Sequence, residues 1–211
     1  LLAIPLGILA AVYRNRWLDK LIGLFSFFGL SIPSVFFSLL MVLFAAKTGL
    51  FPVGGIHNQT MWDVMSGWQR FVDSLWHLVL PTIVLGTIGL AQWVRQMRAE
   101  MIEVLSQDYI CAARAKGLSN WRILTRHALV NAINPLVTLF GFSLASLLAG
   151  ALLTEFVFGW PGLGILVYEA LRDKDEPVVM GATVMLVLML VIGNLIADLL
   201  LAWLDPRIRV E

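Results

Sequence analysis

The chain has 211 residues, of which 59% are hydrophobic and only 14% are Asp, Glu, Lys or Arg. A soluble domain is about a quarter charged, and one of this size has too much surface to cover with so few charges, so a water-soluble globule is excluded. The formal net charge is +1, which gives no reason to expect nucleic acid or any other partner chosen by charge.

Five apolar segments follow in chain order: 1–12, 21–46, 75–94, 136–158 and 178–204. The last four are each long enough to cross a bilayer core of about 30 Å. Their length excludes strands, and lipid requires each segment to satisfy its own backbone polar groups as a helix. The expected class is therefore an all-α, polytopic transmembrane helical bundle forming one domain over residues 1–211. The first segment would span only about 18 Å at 1.5 Å per residue. It lacks a basic leader and is followed by Arg14 and Arg16, unlike a signal peptide. It is read as part of a longer segment in a truncated chain. Ala3, Gly7 and Ala11 recur at every fourth position, a spacing that lets helices approach closely in lipid.

In the second segment, Ser31-Ile32-Pro33-Ser34 predicts a kink at Pro33, with Ser31 and Ser34 able to satisfy freed carbonyls. Such a kink is either a packing bend or the mark of a helix lining a pathway. The loop of about 47–74 carries Gly54-Gly55, Trp62 and Trp68, with Trp76 just beyond, and is expected along a membrane surface. His77 reads as interfacial and Gln92 as a helix-end residue.

The 95–131 stretch is not composed like a linker. Gln107 to Lys116 favours helix and ends at Gly117, a helix terminator. Asn120 precedes a second amphipathic run from Trp121 to Val130, with Trp121, Leu124 and Ala128 on one face and Arg122 and Arg126 on another. Asn131, Asn134 and Pro135 are expected to break that run.

Beyond it, Gly141, Ala145 and Ala149, and Gly193 with Ala197, repeat the small-residue spacing. The sequence from Phe156 to Gly164 is rich in aromatics and turn formers and opens a second loop of about 159–177. Glu155 lies just before it, at the outer end of its segment. Asn194 and Asp198 share a face of the last segment. They are read either as helix-to-helix hydrogen bonding or as part of a pathway or ion-coupling site. Asp205 reads as interfacial.

Orientation follows from Lys and Arg. Arg14, Arg16 and Lys20, then Arg95, Arg98, Arg114, Lys116, Arg122 and Arg126, then Arg207 and Arg209, fall on one side. Lys47, Arg70, Arg172 and Lys174 fall on the other. The eleven-residue side is expected to be cytoplasmic, with the C-terminus, and the 47–74 and 159–177 loops external.

No catalytic constellation is visible. Cys111 is the one cysteine, and His57, His77 and His127 lack metal-ligand spacing. No phosphate loop, GxSxG or HExxH occurs. The expectation is no catalytic residue, no metal site and no cofactor held by this chain, so ATP-driven work would need another subunit.

Cys111-Ala112-Ala113-Arg114-Ala115-Lys116-Gly117 resembles the EAA loop of ABC importer permeases, which runs Glu-Ala-Ala, three residues, Gly. The Ala-Ala pair and Gly117 are in register. Cys111 stands at the Glu position, and the later Pro would fall at Val130. These departures fit one branch. Ala113-Arg114-Ala115-Lys116-Gly117-Leu118, with Arg126-His127-Ala128-Leu129 and Asn131-Ala132, is similar to the dipeptide, oligopeptide and nickel permease family. Phe158 to Gly164, Leu204 to Arg209 and Ser31 to Ser34 resemble other stretches of that family in the same order. The resemblance implies six membrane helices in the full-length protein and a bacterial or archaeal inner-membrane location. It implies a second homologous permease, two ATP-binding subunits that use ATP and Mg, and an external solute-binding protein. Asp108, Cys111, Ala112, Ala113, Arg114, Lys116 and Gly117 would form the coupling loop to the ATPase, and Ser31, Pro33, Ser34, Asn194 and Asp198 would be pathway or packing residues. The alternative is an ion-coupled secondary transporter with Asp198 in a proton relay. The lack of other buried ionisable groups counts against it, and the lack of a nucleophile–base pair counts against an intramembrane enzyme.

Overall fold

The computed structural model describes residues 2–148 and 152–204, with the side chains of 144–148 and 204 outside that description. Among the described residues every regular element is helical: α1 (Ala3–Val12), α2 (Trp17–Ser31), α3 (Ser34–Thr48), a short 3₁₀ turn (Trp62–Val64), α4 (Gly67–Leu105), α5 (Asp108–Ala115), α6 (Asn120–Arg122), a π-turn (Ile123–Ala128), α7 (Leu129–Ala132), α8 (Asn134–Leu148), α9 (Leu152–Phe158), α10 (Leu163–Asp173) and α11 (Glu176–Leu204). By length and apolarity α4 and α11 can cross a membrane, and α2 with α3 makes a third crossing if that pair is one span. The first predicted segment is the 10-residue α1. The fourth falls into α8 and α9, with residues 149–151 outside the description. Large apolar side chains stand exposed along α2 and α11, among them Phe25, Phe27, Phe28, Val187, Val191, Leu195 and Leu199. Such a surface suits lipid rather than water.

Pro33 ends a helix instead of kinking one. It stands between α2 and α3 with φ −57° and ψ 135°, the extended backbone that caps a new helix. The missing N–H and the ring would disrupt a helix interior, but at a helix start neither matters. The hydroxyls that return to carbonyls here are those of Ser26, on Ile22 at 2.9 Å, and Ser38, on Ser34 at 2.8 Å.

Helix α4 is longer than its predicted apolar stretch. Its 39 residues rise about 58 Å, nearly twice a bilayer core. Residues 95–105, read from sequence as loop, continue the helix because they hold strong helix formers and neither Gly nor Pro. Gln92, expected at a helix end, lies inside α4.

The chain forms two compact units. One draws on Leu1–Leu30, Gly89–Ala145 and Leu188–Glu211, the other on Ser31–Ile88 and Ser146–Val187. In the first, Met97 and Met101 of α4 are buried with Ala11, Ile110, Ala113, Ile123, Ala128, Ala132 and Leu136. The Ala3, Gly7, Ala11 face of α1 is buried on α4. A methyl at Gly7 would stand 2.5 Å from Met97 Cβ and 3.0 Å from the Val94 carbonyl oxygen. Gly141 is likewise tight against α11, where a methyl would meet the Gly193 carbonyl oxygen at 2.8 Å and Ala197 Cβ at 3.0 Å. The Ala145 side chain and Ala149, its predicted partners, lie outside the description, as does the 205–211 tail with Asp205.

In the second unit, Ala45, Leu80, Val84 and Phe158 form the core, with Phe37, Met41, Val42 and Phe51 packed on it. The Gly54-Gly55 pair docks on the end of α9. Gly55, at φ 81°, donates its N–H to the Phe158 carbonyl at 2.8 Å, and a methyl at Gly54 would stand 2.7 Å from that same oxygen. The predicted turn from Phe156 to Gly164 links α9 to α10, an amphipathic helix within the stretch expected to be the 159–177 loop.

Candidate functional site

The segment from Gln107 to Ala132 is built from the first unit's core outward. Gln107 is extended, with φ −73° and ψ 149°, and starts α5. Asp108 in the first turn and Arg114 in the last suit the helix dipole. The helix closes in a Schellman motif: Gly117 N–H donates to the Arg114 carbonyl at 2.9 Å, and Leu118 N–H to the Ala113 carbonyl at 3.3 Å. Gly117 takes φ 77°, a left-handed conformation that costs any side-chain-bearing residue about 1–2 kcal/mol. Nothing lies within 4 Å of a methyl built there, so conformation alone, not space, requires glycine. Leu118, just past the turn, packs on the core, completing the hydrophobic contact of this motif.

Ile110 and Ala113, one turn apart, are buried and anchor α5. Asp108, Cys111, Ala112, Arg114, Lys116 and Gly117 are exposed. Of the seven predicted coupling residues, six are therefore presented outward and Ala113 faces inward. Tyr109 is 43% exposed and Trp121 76%, two large aromatic side chains flanking the exposed face.

The second helix starts one residue earlier than its expected signal. Ser119 is the cap, and its hydroxyl accepts from Arg122 N–H at 3.4 Å. Of the face expected to hold Trp121, Leu124 and Ala128, Ala128 is buried and Leu124 packs on the core, while Trp121 is exposed. Ile123 is buried as well, five residues before Ala128, because 123–128 is a π-turn, whose hydrogen bonds run i to i+5. Two side chains bond the carbonyls that bracket this turn: Thr125 Oγ1 donates to Trp121 at 2.8 Å, and Asn131 Nδ2 to His127 at 2.7 Å. The break expected at Asn131, Asn134 and Pro135 is reduced to one residue. Only Ile133 separates α7 from α8, with its N–H on Leu129 at 3.0 Å. Pro135 sits in the first turn of α8, where its missing N–H costs nothing.

One pair in this unit is invisible to motif reading. Arg98 on α4 donates from Nε to Asp19 Oδ1 at 2.6 Å and from Nη2 to Oδ2 at 2.8 Å. Asn15 N–H, at the left-handed turn after α1, reaches the same Oδ2 at 2.8 Å. Asp19 is buried, at 6% exposure. The Arg98 guanidinium holds the Asp19 carboxyl below the usual carboxylate range against the opposing effect of burial, with Asn15 N–H assisting. Asp19 in turn raises Arg98. The only sequence signal was a lone acid in a basic loop.

Among the other predicted residues, Ser31 and Pro33 are exposed and Ser34 is half-buried. Asn194 is half-buried on α11, its Oδ1 3.1 Å from a methyl built on Gly141, whereas Asp198 is exposed. Glu155 is held within the second unit. Its Oε2 accepts Ile165 N–H at 3.0 Å in the first turn of α10, and its carboxylate rests against Gly162 and Gly164. His77 Nδ1 is 2.8 Å from the Asp73 carbonyl oxygen. Among the described residues no three His, Cys, Asp or Glu side chains gather as a metal site would require.

The profile of the family described as "Binding-protein-dependent transport system inner membrane component" matches residues 3–210. The chain is 41% identical to the probable D,D-dipeptide transport system permease protein DdpB of Escherichia coli (strain K12), over 99% of the chain and 65% of that protein. It is 39% identical to the oligopeptide transport system permease protein AppB of Bacillus subtilis (strain 168), over 99% and 65%. It is 40% identical to the dipeptide transport system permease protein DppB of Escherichia coli (strain K12), over 98% and 66%. The chain thus spans about two thirds of the length of these relatives. The family match spans residues 3–210, the stretches 113–118 and 126–132 included, and the chain belongs to the family of binding-protein-dependent transport system inner membrane components.

Proposed function

We propose that the chain forms half of the translocation pathway of an ATP-driven importer and is moved by a separate ATPase gripping α5. Its five apolar segments cross or enter the inner membrane, with α5 and the C-terminus on the cytoplasmic side. A second homologous permease completes the pathway, two ATP-binding subunits use ATP and Mg, and an external binding protein delivers the solute. Peptides are the favoured cargo, because the relatives are peptide permeases by name. None of these relatives is named for nickel.

The observation that carries this reading is the outward face of α5. A short helix, anchored inward by Ile110 and Ala113, offers small side chains at Cys111 and Ala112 for close approach and Arg114 and Lys116 for acidic groups. Tyr109 and Trp121 beside it are the aromatic type that dominates docking energetics. In the second unit, Trp68 and Trp76 help line an apolar groove of about 610 Å³ at the start of α4, which supports an interfacial position for that end.

Cys111 is the one cysteine and is exposed, which makes it a native reporter. In inside-out vesicles it should react with a membrane-impermeant maleimide when the permease is alone and be protected when the ATPase subunits are added. Labelling that ignores the ATPase would refute the docking. ATP-dependent uptake of labelled alanyl-alanine tests the cargo separately.

A further inference from the structure

We propose that Asp19 and Arg98 are positioning residues whose bidentate pair makes the α1–α2 segment travel with the coupling segment as one body. The inference rests on the proposed docking of α5 and adds what that docking would move.

Apart from this pair, what holds α1 on α4 is the contact of Ala3, Gly7, Ala10 and Ala11 with Val94, Met97 and their neighbours. It is close but made of methyls and methylenes. Such a face resists separation, yet it has no directional bond against sliding or rotation, and lipid adds no hydrophobic drive between helices. The Asp19–Arg98 pair is the directional element. Two parallel N–H···O bonds fix both distance and plane. The Asn15 N–H adds a third bond to the same carboxylate and so ties the turn as well as the helix.

Arg98 is also placed to receive motion. Met97 and Met101, on either side of it along α4, are buried in the same core as Ile110 and Ala113 of α5. The helix continues unbroken to Leu105, three residues before α5 begins. A push on α5 thus passes through packed methionines to the helical turn that carries Arg98, and through two hydrogen bonds to Asp19. An exposed ion pair would be too weak and too mobile for this. Asp19 is 6% exposed, so its carboxylate cannot exchange Arg98 for water without losing buried hydrogen bonds.

The test uses the full-length permease assembled with its ATPase subunits, with spin labels at Cys111 and at Lys20→Cys. In the otherwise native protein the label-to-label distance should be the same without nucleotide and with ATP plus vanadate. With Arg98→Ala or, as a milder variant, Asp19→Asn, ATP should change it by about 5 Å, the scale of a one-turn slip. Arg98→Lys, which keeps the charge and one bond, should stay close to native. A merely stabilising pair would lower the melting temperature without making this distance respond to nucleotide. A native distance that already shifts with ATP, or one that stays fixed in both Arg98→Ala and Asp19→Asn, overturns the proposal. If the Cys111 label shows no change in mobility on adding the ATPase, the docking itself has failed. If it does respond and the variants keep a fixed distance, only the positioning role falls.

Discussion

Helices α5 and α9 end in the same way. Gly117 and Gly159 both take left-handed backbone, at φ 77° and 60°. Both helices close with a Schellman pair: Gly117 and Leu118 on the Arg114 and Ala113 carbonyls, Gly159 and Trp160 on the Phe156 and Glu155 carbonyls. What surrounds the two turns differs. Gly117 has open space beside it, and α5 is held only from its inner side by Ile110 and Ala113. After Gly159 the chain folds back on itself. Glu155 caps α10, Gly162 and Gly164 leave room for its carboxylate, and the Gly55 N–H occupies the Phe158 carbonyl. One motif therefore makes a surface left open to a partner and a corner filled by its own chain. The lesson is that the motif fixes the path of the backbone, while the neighbours decide whether that path is available for docking.

Substitutions at the filled corner should break this contrast hardest. A methyl at Gly164 would stand 2.8 Å from Leu152 Cα and 3.0 Å from Leu152 N, backbone atoms that cannot rotate away. Gly164→Ala should cost about 3 kcal/mol, read as a lower melting temperature in detergent, the upper range for overpacking. Glu155→Ala should lose about 1 kcal/mol of capping, and Glu155→Gln should recover part of it.

Next comes the pair that ties α2 to the open side. Arg98→Ala should cost about 2 kcal/mol, below the range for a fully buried pair because the Arg98 side chain is 33% exposed. Folding lowers the Asp19 carboxyl below its usual value. Its stabilisation is therefore complete above the unfolded value of about 3.9 and is lost as pH falls through the lower folded value. The gap between native protein and Arg98→Ala should hold from neutral pH to about 4 and close below it. A gap unchanged at lower pH would contradict the assignment.

At the open turn the effect on stability should be smaller and purely conformational. Gly117→Ala should cost about 1–2 kcal/mol and Gly117→Asn clearly less, since Asn tolerates left-handed backbone. Equal losses would mean that space, not φ, matters there. A bulky residue such as Trp at this position should leave the protein inserted while uncoupling ATP hydrolysis from uptake; normal uptake would sink the coupling role.

The smallest effect should carry the opposite sign. Lys174 ends α10 in left-handed backbone at φ 58°, with the same Schellman bonds, from Lys174 to Leu171 at 3.4 Å and Asp175 to Ala170 at 2.8 Å. Lys174→Gly should stabilise by about 1 kcal/mol. A loss would show that the lysine side chain contributes something its exposure does not suggest.

Much of this was legible in the residues. Apolar runs announced an all-helical chain, because lipid permits little else. The helix-favouring run from Gln107 to Lys116, ended by Gly117, placed α5 to within a residue at each end, because Schellman closure is a local property of glycine. The Ala3, Gly7, Ala11 stripe predicted a close helix contact. Several misreadings concern where helices stop. Pro33 ends a helix, α4 runs on past residue 94, and the run through Asn131 continues to Ala132. A six-residue π-turn adds a shift of register that carries no compositional mark.

By itself, then, the sequence determined class, family and the turn at Gly117, since hydropathy, helix propensity and left-handed glycine act over a few residues. Only the tertiary structure decided that Asp19 meets Arg98 across 79 positions, that Glu155 caps a helix ten residues on, and that the end of α5 is open while the end of α9 is filled. Those outcomes depend on which side chains share a space, and proximity between distant positions is a property of packing that no local pattern encodes.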